Sequence, residues 1–197
     1  AGLMQHAFEA LVGVAHNALH AGEQFTLGYS AEQSRFVRFN HAKVRQAGDV
    51  SQASAHLRLI RDGRQAEQLV TLSGEAQVDG QRLEAAMQLL RQTLPLLPID
   101  PYLQLNTAPW NSLSCQAAPL PALDEVLALI EREAGDLDLV GIYAAGPVCR
   151  GFASSFGAFG WHQANSFNMD WSLFHENGQA VKANYAGQAW NAGDFTH

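Results

Sequence analysis

Several sets of residues in this 197-residue chain combine reactive side chains with suggestive spacing. His16 and His20, in HNALH, stand four apart, so on a helix both rings could reach one metal ion. A zinc site needs a third protein ligand, and the HExxH pattern places a Glu beside the first His, where this chain has Asn17. Glu9 and Gly13 share the same polar side, so a solvated helix surface is expected there. His175-Glu176 begins like a zinc-protease helix, but Asn177-Gly178 follows at once, and no second His stands at the required spacing. Ser154 and Ser155, in GFASSFGAFG, fit neither the G-x-S-x-G nucleophile elbow nor a phosphate loop, and should turn a strand. Cys149 precedes Arg150, which would lower a thiol pKa. Its strand-like setting and the lack of a positioned base predict a small buried residue instead. Cys115 has no informative partner.

The remaining set is a cluster of positive charge. SRFVRFNHAKVRQAG, residues 34 to 48, holds Arg35, Arg38, Lys43 and Arg45, four of the twelve Lys and Arg residues, in a chain of net charge −7. One reading is the solvated outer face of a half-buried sheet, with cations protecting an edge. The other is a surface for an acidic partner, a carboxylate-bearing peptide or a neighbouring subunit. Arg38, Asn40, Lys43 and Arg45 are the candidate contacts for a peptide or partner. Nucleic acid is disfavoured, because the pI is near 5.5 and few aromatic residues beyond Phe36 and Phe39 accompany the cations.

Composition sets the frame around these residues. At 47% hydrophobic and 16% charged, the chain can build one sizeable core or two small ones, and it is neither disordered nor a coiled coil. No apolar run approaches the ~20 residues needed to span a bilayer, so no membrane partner is expected. No secretory leader is visible, and two cysteines suit a reducing compartment, so the cytoplasm is the expected location. The chain begins Ala-Gly and ends GQAWNAGDFTH without a closing element, as a fragment or a processed protein would.

The elements that must position the candidates follow from periodicity. Residues 3 to 21 read as a helix, with Leu3, Ala7, Leu11, Val14 and Ala18 at helical spacing and Gly22 as a stop. The basic stretch reads as a hairpin turning at Asn40-His41, with Val37, Phe39 and Val44 on an apolar side and Arg38, Lys43 and Arg45 outside. HLRLIRDGRQAEQLVTL is a second hairpin, and its Asp62-Gly63 turn sets Arg58 opposite Glu67. Together the two hairpins suggest a four-stranded antiparallel sheet. Residues 79 to 97 form the next helix, followed by a proline-rich connection over 95–121 with short extended pieces such as YLQL. A third helix carries Leu123, Val126, Leu127 and Ile130. Strands LDLVGIYAAG, VCRGFASSF and NSFNMDWSLF follow, with a turn at Asn177-Gly178. The class is α+β, a mainly antiparallel sheet of hairpins with about three helices packed against it. The expected organisation is one domain over 1–197, with strand-rich halves at about 23–75 and 137–191.

These residues also carry a family resemblance. SRFVRFNHAKVRQAG, the DG hairpin with VTLSG after it, and LLPIDPY resemble the N-terminal region of the TldD/PmbA family. FASSFGAFGWHQANSFNMDWSLF, with VKANYAGQAW after it, is similar to the family's motif region just ahead of its catalytic section. The resemblance runs from about residue 25 to about residue 190. It implies the α/β N-terminal domain of a longer cytoplasmic protein with a β-rich C-terminal domain. It further implies assembly with that C-terminal domain and with a second TldD/PmbA-type subunit, as a homo- or hetero-oligomer. TldD-type members are zinc metallopeptidases acting on unfolded peptides through an HExxxH helix. PmbA-type partners, also called TldE, lack that motif, and the family is also described as a modulator of DNA gyrase.

No HExxxH occurs in this chain, so no catalytic or metal-binding residue carries over. The expectation is a domain supporting peptide binding and subunit assembly, inactive and cofactor-free alone, with zinc in the full-length protein or its partner. The alternatives are the non-catalytic PmbA/TldE-type partner or a regulatory protein-binding module. An unrelated enzyme with its site in the proline-rich loop around Trp110 and Asn111 is a further reading.

Overall fold

The computed structural model of the chain describes residues 2–116, 118–174 and 177–190. Three helices, α1 (Leu3–Ala18), α2 (Ala76–Thr93) and α3 (Leu123–Ala134), accompany seven strands among these residues. The strands are β1 (Gln24–Asn40), β2 (Lys43–Arg61), β3 (Arg64–Thr71), β4 (Trp110–Gln116), β5 (Asp138–Ser154), β6 (Ala158–Phe174) and β7 (Ala180–Gly187). They form one antiparallel sheet in the order β3-β2-β1-β5-β6-β4, with β7 also pairing with β6. The architecture is α+β, as the alternating patterns and turn signals lead one to expect.

The strands are longer than the sequence suggests. The two expected hairpins share β2, a single strand of 19 residues, so they make three strands rather than four. LDLVGIYAAG and VCRGFASSF are likewise one strand, β5, which continues through Gly146-Pro147. Contacts divide the chain into two compact units. One gathers the residues up to Ala31 with Gln52–Cys115 and Cys149–His162; the other holds Glu32–Ser51, Gln116–Val148 and the residues from Gln163 on. Strands β1, β2, β5 and β6 each contribute a segment to both.

In the first unit, Phe8, Leu11 and Ala15 of α1 and Leu83, Met87 and Leu90 of α2 form a core with Phe25, Leu27, Leu57, Leu59 and Trp161. Phe8 lies within ring-stacking distance of Tyr29 and Trp161, at 5.3 and 5.8 Å. Helix α1 stops at Ala18, earlier than its apolar spacing suggests, because Leu19 already has extended backbone. Helix α2 starts and ends earlier than expected. Asp79, buried in its first turn, accepts hydrogen bonds from Ser73 N and Oγ and from Gly74 N, which folds the preceding turn onto the helix start. Pro95 converts the other end into a short 3-10 turn over Leu94–Leu96. The connection's strand is Trp110–Gln116, not YLQL.

The β2–β3 hairpin has the expected register, with Arg58 opposite Glu67 and left-handed backbone at Asp62 and Gly63. The side chains pair differently. Glu67 meets His56 at 3.2 Å, while Arg58 donates to Thr26 Oγ1 and Gln65 Oε1. The β1–β2 turn falls one residue later than expected. His41 and Ala42 hold φ values of 50° and 55°, so Ala42 lies in the turn rather than opposite Phe39. Val37 and Phe39 are buried as expected, but Val44 is 47% exposed. In the second unit, Val126, Ile130 and Ala134 of α3 pack on Phe39, Leu139, Tyr143, Phe167 and Met169.

Candidate functional site

Within the second unit, helix α3 covers the sheet side that carries Phe39, Leu139 and Met169. Neighbouring strand residues point to opposite sides, so Arg38 faces away from that core. There it lines a depression of about 450 Å³ with Val140, Ile142, Asp170, Ser172 and Lys182. Gly141 also lines it, through its backbone. A Cβ there would stand 2.3 Å from the Asp170 carbonyl oxygen and 2.9 Å from the Phe39 ring. Asp170 is held by amides: Asn168 Nδ2 donates to its Oδ2 at 2.9 Å, and Asn184 Nδ2 donates to its Oδ1. Arg38 and Lys182 form no ion pair among the described residues, so the depression offers two cations and one amide-bound carboxylate.

Lys182 belongs to β7, whose register on β6 sets Ser172 opposite Lys182 and Trp171 opposite Ala183. Among the described residues β7 pairs with β6 alone, and most of its residues are exposed. An edge strand of this kind presents a row of unpaired main-chain donors and acceptors. Lys182 supplies the charge that natural edges carry, and it also reaches the depression lined by Arg38. No signal within a short window of sequence could have joined these two residues.

The other residues of the basic stretch are placed elsewhere. Lys43 lines a separate hollow of about 670 Å³ with His41, Leu127, Glu131 and Arg132 at helix α3. Arg35 meets Asp49 at 3.3 Å. Asn40 and Arg45 are exposed and line neither depression. The structure therefore brings Arg38 together with Lys182, not with Lys43.

A second concavity, about 530 Å³, lies where the lead into α3 meets the sheet of the same unit. Leu120, Pro121, Ala122 and Leu123 form one wall, with Val50, Ala145 and Pro147 opposite and Arg35 and Asp49 also lining it. Tyr143 lines it too. Its residue is 2% exposed, its hydroxyl has no hydrogen-bond partner among the described residues, and burial pushes its pKa up to about 12. The phenol therefore stays protonated. Gly146 passes so close to β1 that a Cβ there would overlap the Gln33 carbonyl oxygen, at 1.8 Å. Pro147, lacking an N–H inside a strand, was the sequence signal of an irregular place here.

The remaining candidates resolve simply. His20 lies beyond the end of α1, and the His16 ring packs edge-on against Phe25 at 5.0 Å. Among the described residues, no three His, Cys, Asp or Glu side chains are placed to hold a metal ion. His175 and Glu176 lie outside the described residues. Ser154 Oγ accepts from Phe156 N and Ala158 N, and Ser155 Oγ accepts from Phe25 N, so both serines build the β5–β6 turn. Cys149 is fully buried, with its thiol 3.1 Å from Met4 Sδ. Arg150 bonds the Cys149 carbonyl oxygen rather than the sulfur. Trp110 stacks on Phe152 at 5.9 Å above Gly160, with Asn111 exposed beside it. No described helix is long and apolar enough to cross a membrane.

No family model matches the sequence, and no curated protein matches it. Solved structures do match. TldE from Thermococcus kodakarensis is similar over 92% of this chain and 43% of its own, with a TM-score of 0.57 and 15% identity. A candidate modulator of a DNA gyrase from Thermotoga maritima is similar over 98% of this chain and 46% of its own, at TM-score 0.56 and 9% identity. Its counterpart from Bacteroides thetaiotaomicron covers 93% and 43%, at 0.53 and 15%. The chain thus spans less than half the length of each. At these identities the likeness is one of fold, and the expected resemblance is met at that level: this chain has the TldD/PmbA-type fold.

Proposed function

We propose that this chain is the peptide-binding and assembly part of a TldD/PmbA-type protein, and that it hydrolyses nothing by itself. The observation that carries the reading is the depression joining Arg38 to Lys182 and Ala183 of the β7 edge. An extended peptide added along β7 gains main-chain hydrogen bonds that do not depend on its sequence, while side chains pointing into the depression meet two cations. Such recognition suits substrates without fixed structure. It also reconciles local attraction for acidic segments with a net charge of −7, because charges beyond about 10 Å are screened at ordinary salt. Zinc-dependent hydrolysis, if the whole protein performs it, belongs to an HExxxH segment outside this chain or on a partner subunit. Asn40, Lys43 and Arg45 would then serve subunit contact rather than the peptide.

The test is fluorescence anisotropy with a labelled, unstructured acidic peptide and its Lys-substituted counterpart. The acidic peptide should bind more tightly, and more weakly as salt rises. Reversing both cations, Arg38→Glu with Lys182→Glu, should reverse the preference without changing the circular dichroism spectrum. Equal binding of both peptides by the natural and reversed proteins would contradict the assignment.

A further inference from the structure

We propose that the depression between Arg38 and Lys182 is a subsite for the free C-terminus of a peptide, with its α-carboxylate between the two cations and an apolar last side chain beside it. The proposal rests on the peptide-binding reading and deepens it. To a general attraction for acidic segments it adds one defined anchor, the chain end.

Strand spacing decides which carboxylate comes close to both cations. The strand order β1-β5-β6-β7 sets Arg38 three strands in from Lys182, about 14 Å at the usual separation. A peptide strand added to β7 lies about 5 Å further out, so its side chains meet Lys182 at close range and Arg38 only from a distance. A chain end is free to leave the edge and cross β7. It carries its carboxylate over Val140, Ile142 and Ser172, which line the depression on the two intervening strands. The charges suit one monovalent anion. Arg38 and Lys182 outweigh the single carboxylate of Asp170, whose two oxygens are engaged by Asn168 and Asn184. A carboxylate neutralises the excess positive charge, whereas a phosphate dianion overshoots it. Arg38 presents a planar fork to two oxygens, and Lys182 a point charge beside them. The walls select the neighbouring group. Val140 and Ile142 are half-buried branched aliphatics among otherwise polar lining side chains, and an apolar last residue covers them. The preceding residues keep their main-chain bonds along β7, so strand addition and capture of a terminal carboxylate act together. A small free carboxylate would meet the same side chains without those bonds.

The experiment uses the chain as it stands and compares, by fluorescence anisotropy, a labelled unstructured acidic peptide ending in Leu with the same peptide amidated at its C-terminus. The free acid should bind about tenfold more tightly than the amide, as a charge-assisted contact provides. Replacing the final Leu by Ser should weaken binding about fivefold, since the walls bury part of one apolar side chain. N-acetyl-leucine should compete, but far more weakly than the peptide. Arg38→Gln and Lys182→Gln, made separately at exposed positions, should each shrink the acid-over-amide ratio without changing the circular dichroism spectrum. If acid and amide bind equally and both weaken with salt, or if neither variant changes the ratio, the chain-end assignment is wrong while the β7 reading survives. N-acetyl-leucine binding as tightly as the peptide would also overturn it, making the depression a site for small free carboxylates. If no peptide binds at all, both fall together.

Discussion

Glu23, just before β1, and Arg91, in the last turn of α2, form a two-point ion pair inside the first unit. Arg91 Nε reaches Oε2 at 2.7 Å and Nη2 reaches Oε1 at 2.8 Å. The same Nη2 donates to the Ala18 carbonyl oxygen at 2.9 Å, and Oε1 also accepts from His20 N. One guanidinium thus closes the C-terminus of α1 and fixes the entry to β1. Burial raises the Glu23 pKa, but Arg91 and the His20 amide outweigh it, and the net position is below the ordinary 4.5.

Removing the cation alone strands a buried carboxylate, so Arg91→Met should cost about 3 kcal/mol in urea unfolding. Because the folded pKa is lowered, the Glu23 contribution is fully present above about pH 4.5 and is lost as pH falls through the folded value. The Glu23→Gln protein should therefore show a shallower loss of stability on acidification than the natural chain.

Two glycines should respond oppositely to alanine. Gly146→Ala forces a Cβ to within 1.8 Å of a backbone oxygen that no rotamer change can move, and should destabilise by 3 kcal/mol or more, on the order of severe overpacking. Gly13, inside α1, has open space around its Cβ position. Gly13→Ala should stabilise by about 0.5–1 kcal/mol through helix propensity. Thermal melts of the two variants check both signs.

The two thiols should react very differently. Burial pushes Cys149 up to about 11, with Cys115 adding to the rise and Arg150 opposing it weakly. Cys115 is exposed. A disulfide reagent at pH 8 should label Cys115 alone in the folded chain and both cysteines in denaturant, as mass spectrometry of the labelled peptides will show.

Zinc added to this chain should leave its melting temperature unchanged. His20 lies outside α1 and the His16 ring is engaged with Phe25, so the helical pair that could share a metal does not form. A rise of several degrees that disappears in His16→Ala would show the opposite.

Local chemistry made part of this molecule legible in its sequence. Asp62-Gly63 set a register because left-handed backbone at both turn positions suits those residue types, and Arg58 stands opposite Glu67 as a result. His41-Ala42 adopts the same backbone without that chemical signal, which is why Val44 was expected inside and lies outside. Gly48 and Gly146-Pro147 resemble breaks, yet the strands run through them. Gly48 lies beneath the Phe36 ring, and Gly146 allows β1 to pass close. The sites were the least legible. Arg38 was visible as part of a charged cluster, but its companion Lys182 comes from a strand near the far end of the chain. The α3 groove draws on three strands and a helix start, which no short window of sequence joins.

Hydrogen exchange along β7 is the most direct test of the peptide-binding assignment. With a saturating unstructured acidic peptide, the outward amides of Ala180–Gly187 should become protected at alternate positions, as they would when a strand is added to an open edge. Protection should weaken in the Arg38→Glu, Lys182→Glu protein. Saturable peptide binding that leaves every β7 amide exchanging at its free rate would contradict the account.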